Sequence, residues 1–370
     1  MNTSALGSSV RFVLCLSADL AACASNKSNG GTGGSGGGSA AGAGGGAAGS
    51  GAGDSDVATM FLSDGISSAV YRYEVRPGAD PVLNDTITVT APGGPAAQQT
   101  ATGMAMNAAG ELFVANYSSG SIFRFLSPLG TPVANGSAVV TGIVNPEEIR
   151  FVDDELWVPN VTLDCSTTPE SIVRIAFDAQ GAASAAGTVT TGSVGANRGM
   201  LWVPATRDLY VSQCASVNAI QHYRVAADRT ATALTPITGS ELNNPEGMVV
   251  TSWSELIVAN SGPASNPGTS LLRLTVDAQG NATQNGLISG NGLNFPVGLA
   301  FTPWGELFAV NEATGTISRF TFDATHAAVP DGVVDIPGPT VTSEGGLAWI
   351  LIVPGASSTV DGGVSDAAAD

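Results

Sequence analysis

Glu147, Arg198 and Glu246 occupy one recurring position in three successive segments of this chain, each just ahead of an apolar stretch. The matching residues elsewhere are Thr102, Val297 and Gly345, so the charged trio departs from the repeat. Glu148 follows Glu147 where the other segments have Gly103, Gly199, Gly247, Gly298 and Gly346. Asn160 and Asn260 stand further along the same two glutamate-bearing segments. Carboxylates with carboxamide oxygens nearby are the donor set of a Ca²⁺-type cation, with Glu147 and Glu246 as its carboxylate ligands. The same residues have a second reading. Arg198 can ion-pair with both glutamates and close the site as a structural plug, because buried polar groups need partners. Both readings stay open at this level.

What brings these residues together is a repeat. A strand-like phrase reads ELFVAN at 111–116, ELWVPN at 155–160, DLYVSQ at 208–213, ELIVAN at 255–260 and ELFAVN at 306–311. A second follows each: IFRF at 122–125, IVRI at 172–175, IQHY at 220–223, LLRL at 271–274 and ISRF at 317–320. The anchor leucines (112, 156, 209, 256 and 307) recur every 44 to 53 residues. Short alternating strands at that period predict an all-β propeller of four-stranded antiparallel blades. A sixth copy is split: TMFLSD at 59–64 and VYRYEV at 70–75 lack a first strand, and Gly346 to Ile350 supplies one from the other end. The blades are expected at 58–92 plus 344–354, 102–142, 146–192, 198–241, 246–290 and 297–341. Closure by the last strand removes open sheet edges.

In such a ring the starts of the inner strands and the ends of the second strands share one face, around the channel mouth. The second strands end in Asp64, Asn116, Asn160, Gln213, Asn260 and Asn311, which reads as loop capping. The third strands carry Arg72, Arg124, Arg174, Arg273 and Arg319, with His222 in the fourth blade; one per blade reads as architecture.

Net charge is −18 and Lys27 is the sole lysine. A nucleic-acid partner needs a basic footprint, and the chain has none. Residues 1–23 read as a signal segment ending in Leu20-Ala21-Ala22-Cys23, which resembles the bacterial lipobox. That resemblance implies lipidation at Cys23, palmitate included, and an outer-membrane or cell-surface location. Residues 24–56 read as a tether, whose run of almost entirely Gly, Ala, Ser and Thr at 29–53 spans ~25–30 Å, and 355–370 is a small acidic tail. Cys165 and Cys214 fall in equivalent loops of neighbouring blades and are expected to form a disulfide in an oxidising envelope.

The pattern Pro-x-Gly-apolar, then GELFVAN, then SIxRF, best seen at 103–127 and 296–322, resembles NHL-repeat propellers and the gluconolactonase-like superfamily that includes them. For a lactonase the resemblance implies one divalent cation in the channel, with Glu147 and Glu246 matching its ligand motif. Arg198 takes a matching position between them, and Val297 and Gly345 offer no ligand. The leading expectation is a lipid-anchored, monomeric propeller acting as a binding scaffold for a protein or small molecule. The alternative is a Ca²⁺-type hydrolase or lactonase at the channel mouth, with Glu147, Glu148, Arg198, Glu246, Asn160 and Asn260 lining it.

Overall fold

The computed structural model describes residues 56–66, 68–89, 100–161, 170–191, 196–213, 217–263, 266–338 and 347–355. Cys23, the tether up to residue 55, Cys165, Cys214 and the tail beyond 355 lie outside them.

Blade one holds β1 (Ala58–Asp64), β2 (Ala69–Val75) and β3 (Val82–Thr88). Blade two is β4 (Ala101–Met106), β5 (Leu112–Asn116), β6 (Ser121–Leu126) and β7 (Val133–Ala138). Blade three is β8 (Arg150–Val152), β9 (Glu155–Pro159), β10 (Ser171–Phe177) and β11 (Ala183–Thr190). Blade four is β12 (Asn197–Val203), β13 (Asp208–Gln213), β14 (Ala219–Val225) and an outer strand in two pieces, β15 (Ala231–Ala233) and β16 (Ile237–Thr238). Pro236 lies at that break, where it has no N–H for the ladder. Blade five is β17 (Pro245–Val250), β18 (Glu255–Asn260), β19 (Ser270–Val276) and β20 (Ala282–Ser289). Blade six is β21 (Pro296–Phe301), β22 (Leu307–Asn311), β23 (Thr316–Phe322) and β24 (Ala328–Asp335). The last strand, β25 (Leu347–Pro354), pairs antiparallel with β1 and completes blade one. The six-bladed ring and its closure are as the repeat predicts.

Period 2 explains how the ring holds. Leu112 and Val114 join Phe61, Val70 and Trp349 in the core between blades one and two. Phe113 and Ala115, on the other face of the same strand, join Ile149, Leu156 and Val158 between blades two and three. Each blade thus buries both faces, which is why its strands read as continuous apolar runs. The ring closes where Met60, Leu62 and Tyr73 meet Phe308, Val310 and Ile317.

The third-strand arginines are architectural, with a partner the repeat did not advertise. Arg124, Arg174, Arg273 and Arg319 ion-pair with Glu111, Glu155, Glu255 and Glu306, the acidic residues that precede each anchor leucine. Arg124 also reaches the carbonyl of Gly181 in the next blade, at 2.5 Å. Blade one has Thr59 at the acidic position, and Asp85 from β3 replaces the missing carboxylate. In blade four the pair becomes His222 and Asp208, 3.1 Å apart.

Inner-strand glycines answer a steric demand. A methyl group on Gly247 would press on the carbonyl oxygen of Val297 and come within 3.2 Å of the Leu299 amide nitrogen, both in the next blade. Gly247→Ala is therefore expected to cost about 1–3 kcal/mol. A urea midpoint shift at unchanged slope reads this out. Gly239→Ala, with open space around it, is the control, and an equal loss there would refute the steric cause.

Candidate functional site

The charged residues reach the channel because the inner strands bulge. In blade two Ala101 pairs with Asn116 and then Met104 with Val114, so two residues oppose one. The same slip recurs at Asn197–Met200, Pro245–Met248 and Pro296–Leu299. A bulge re-aims the side chains it carries. Its first extra residue is Thr102, Arg198, Glu246 or Val297, and its second is the glycine. Blade three departs from the others. With Glu148 in the glycine place, ladder pairing of β8 begins only at Arg150–Trp157.

Arg198 lies between the two glutamates. Its Nη1 donates to Glu147 Oε1, and its Nε stands 3.9 Å from Glu246 Oε1. All three side chains are buried. Glu148 is 1 % exposed and turns to the next blade: Oε2 accepts from the Met200 amide at 2.6 Å, and Oε1 pairs with Arg150. It staples blades three and four rather than facing a ligand.

The structure adds Glu312, directly after the carboxamide that ends β22. Its backbone N–H donates to Phe295 O at 3.1 Å, and its carboxylate lies within electrostatic reach of Arg198, Glu147 and Glu246. The signal for it was one column past the carboxamide ring: Gly65, Tyr117, Val161, Cys214, Ser261 and then a lone acid. Tyr117 and Val161, in that column, pack with Ala196 as a small apolar cluster. The column therefore carries apolar side chains in blades two and three and an acid in blade six.

Burial raises the proton affinity of the carboxylates here. Glu312 is half-buried at the surface of the mouth, and desolvation among its neighbours pushes it up to about 7, partly offset by Arg198 and reinforced by Glu147. Burial pushes Glu148 up to about 7 as well, against the pull of Arg150 and the Met200 amide. Glu147 is raised, because burial outweighs Arg198. Glu246 is raised furthest in kind: burial leads, and the charges of Glu147 and Glu312 add to it. Three carboxylates around one guanidinium cannot all ionise freely, so each makes the others harder to deprotonate. Such groups can act as general acids and bases.

The donor set does not fit a divalent cation. Glu147 Oε1 is held by Arg198. Asn160 accepts from the Val144 amide at 2.8 Å and donates to Gly142 O at 2.7 Å. Asn260 accepts from Asn243 N at 3.2 Å and donates to Glu241 O at 2.7 Å. Both carboxamides thus tie down the loop entering their own blade, whereas Asp64 and Asn116 cap the loop that follows, as expected for all six. Among the described residues no group of three His, Cys, Asp or Glu is placed to hold a metal. The guanidinium of Arg198 lies between the two candidate carboxylate ligands.

No family model matches the chain, and no curated protein matches it. Solved structures share its fold. A candidate 6-phosphogluconolactonase from Bacteroides fragilis is 12% identical with a TM-score of 0.57, over 82% of this chain and 100% of that one. The periplasmic gluconolactonase of Pseudomonas aeruginosa is 14% identical with a TM-score of 0.54, over 80% of this chain and 99% of that one. A chain of the nidogen/laminin complex is 13% identical with a TM-score of 0.53, over 80% and 98%. At these identities the likeness shows the propeller alone, a fold that hosts both enzymes and binding modules.

Proposed function

We propose that the channel mouth is the site of a metal-independent hydrolase acting on small cyclic esters of the lactone class. The observation that carries this reading is the enclosed guanidinium of Arg198 among three carboxyls whose proton affinity burial raises, Glu312 to about 7. The lactonases among the solved structures of this fold favour the same substrate class. Arg198 polarises the ester carbonyl and stabilises the oxyanion. Ionised Glu312 takes a proton from water as the water oxygen bonds to the carbonyl carbon. The ring C–O bond then breaks, and the leaving alkoxide takes a proton from Glu312 or Glu246. Water is consumed and a hydroxy acid forms.

The test is proton release from a γ-lactone by the purified domain. Turnover should rise as pH increases through about 7, where Glu312 ionises. It should fall about 10²–10⁴-fold in Glu312→Gln, and chelator should leave it unchanged. A rate no greater than the uncatalysed one, or activity that chelator removes and Ca²⁺ restores, sinks the proposal.

A second reading rests on the 6 % exposure of Arg198 and its bond to Glu147: a structural plug under a loop face that binds a partner. An inactive domain whose Arg198 variants lose stability alone would favour that reading.

A further inference from the structure

Among the described residues, the buried side-chain atom at the mouth without a hydrogen-bond partner is a carboxyl oxygen. Glu147, at 7 % exposure, has one oxygen bonded to Arg198, while its Oε2 is enclosed and has no hydrogen-bond partner. Glu246 is held from Arg198 by 3.9 Å, and Glu312 reaches Arg198 only through its field. The facing groups are Glu147, Glu246 and Glu312 against Arg198, with the Ser261 hydroxyl near Glu246 but donating to Asn244 O at 2.7 Å. Glu148 is turned away and neutralised by Arg150. Once its carboxyls ionise, the mouth therefore carries three negative charges against the one positive charge of Arg198.

We infer that the ligand this mouth takes best carries a protonated amine, the class of amino sugars and their lactones. An ammonium brings three donors and the missing charge. The acceptors for it are the carboxylates of Glu246 and Glu312, neither of them hydrogen-bonded to Arg198, beside the unpartnered oxygen of Glu147. A phosphate or carboxylate on the ligand meets three carboxylates against one guanidinium, so its net charge is opposed. A neutral polyol supplies donors without charge, and ranks between. The inference rests on the proposed site being the ligand site, and its test does not require turnover.

The probes are 6-amino-6-deoxyglucose, glucose and glucose 6-phosphate, which differ in charge at one carbon. Titration calorimetry on the purified full chain should show the amino sugar binding about tenfold or more tighter than glucose, and the phosphate weakest. Affinity for the amino sugar should be about tenfold higher at about pH 8 than at about pH 6, because Glu312 must shed its proton to meet the ammonium. Glu312→Gln should flatten that pH dependence and remove most of the preference over glucose. Glu246→Gln, a neutral isostere in the same mouth, should weaken the preference likewise, with thermal unfolding confirming that each variant folds. Equal binding of the three probes, a preference for the phosphate, or no heat from any of them overturns the inference. Amine-selective binding without lactone hydrolysis would sink only the proposed reaction. Hydrolysis of a neutral lactone without amine preference would sink only this inference.

Discussion

Arg198→Ala is expected to destabilise the propeller by about 3–5 kcal/mol at about pH 8, the cost of removing one partner from a buried ionic cluster. Glu147 and Glu246 would then face each other and Glu312 with no counter-charge. Their remaining escape is protonation, so the deficit should shrink at about pH 5, where more of these raised carboxyls hold protons. Urea unfolding of both proteins at both pH values checks this. An equal deficit at both would show that Arg198 acts through packing rather than charge. The hydrolase reading adds a loss of turnover of about 10²–10³-fold, the usual effect of deleting an oxyanion donor. Lysine at 198 keeps the charge but loses the planar fork, and should restore little of the rate. Adding Glu147→Gln to Arg198→Ala should recover part of the stability. Turnover stays low in the double variant if Arg198 contacts substrate, which separates a site from a plug.

The repeat made the ring legible because every blade must solve the same packing problem. The ELFVAN-type strands had to be apolar on both faces, and the five leucine-anchored copies with the copy split between the two ends led to six blades. Side-chain partnerships were much less legible. Arg174 was visible as a recurring residue, but its match to Glu155 depends on the antiparallel register of β9 and β10, in which Arg174 lies opposite Trp157. Asp85 was hidden more deeply, since it replaces the acid that Thr59 lacks from a different strand of the blade. The trio of Glu147, Arg198 and Glu246 stood out by breaking the repeat. Glu312 broke it too, one column further on, in loops whose lengths differ from blade to blade and so resist alignment. Asn160 and Asn260 show the opposite limit. Their type suits a cation or a loop equally, and only the bonds to Gly142 O and Glu241 O decide between them.

Stability should peak on the acid side of neutrality, and Glu148 supplies the clearest reason. Its carboxyl is raised from 4.5 to about 7, chiefly by burial, so the folded state holds its proton more tightly than the unfolded chain does. Its contribution is fully present below about pH 4.5 and is lost as pH rises through about 7. The difference amounts to roughly 3 kcal/mol for one such group. Glu312 moves in the same direction. Below this window the trend reverses. Asp208 and Asp153 are held below the usual carboxylate range, Asp208 by hydrogen bonds from Thr206, Arg224 and His222, Asp153 chiefly by Arg207. Their support disappears as pH falls through their folded values. Melting temperature should therefore be highest at about pH 5 and fall toward pH 8, by about 2 °C for each kcal/mol in a domain of this size. Glu148→Gln isolates the cause. The amide can still accept from Met200 N, and at about pH 5 it mimics the protonated acid, so the two proteins should melt together. At about pH 8 the variant should be the more stable, because it has no charge to desolvate beside Glu147. A variant less stable than the parent at pH 8 would mean that the Arg150–Glu148 ion pair outweighs the burial of its charge.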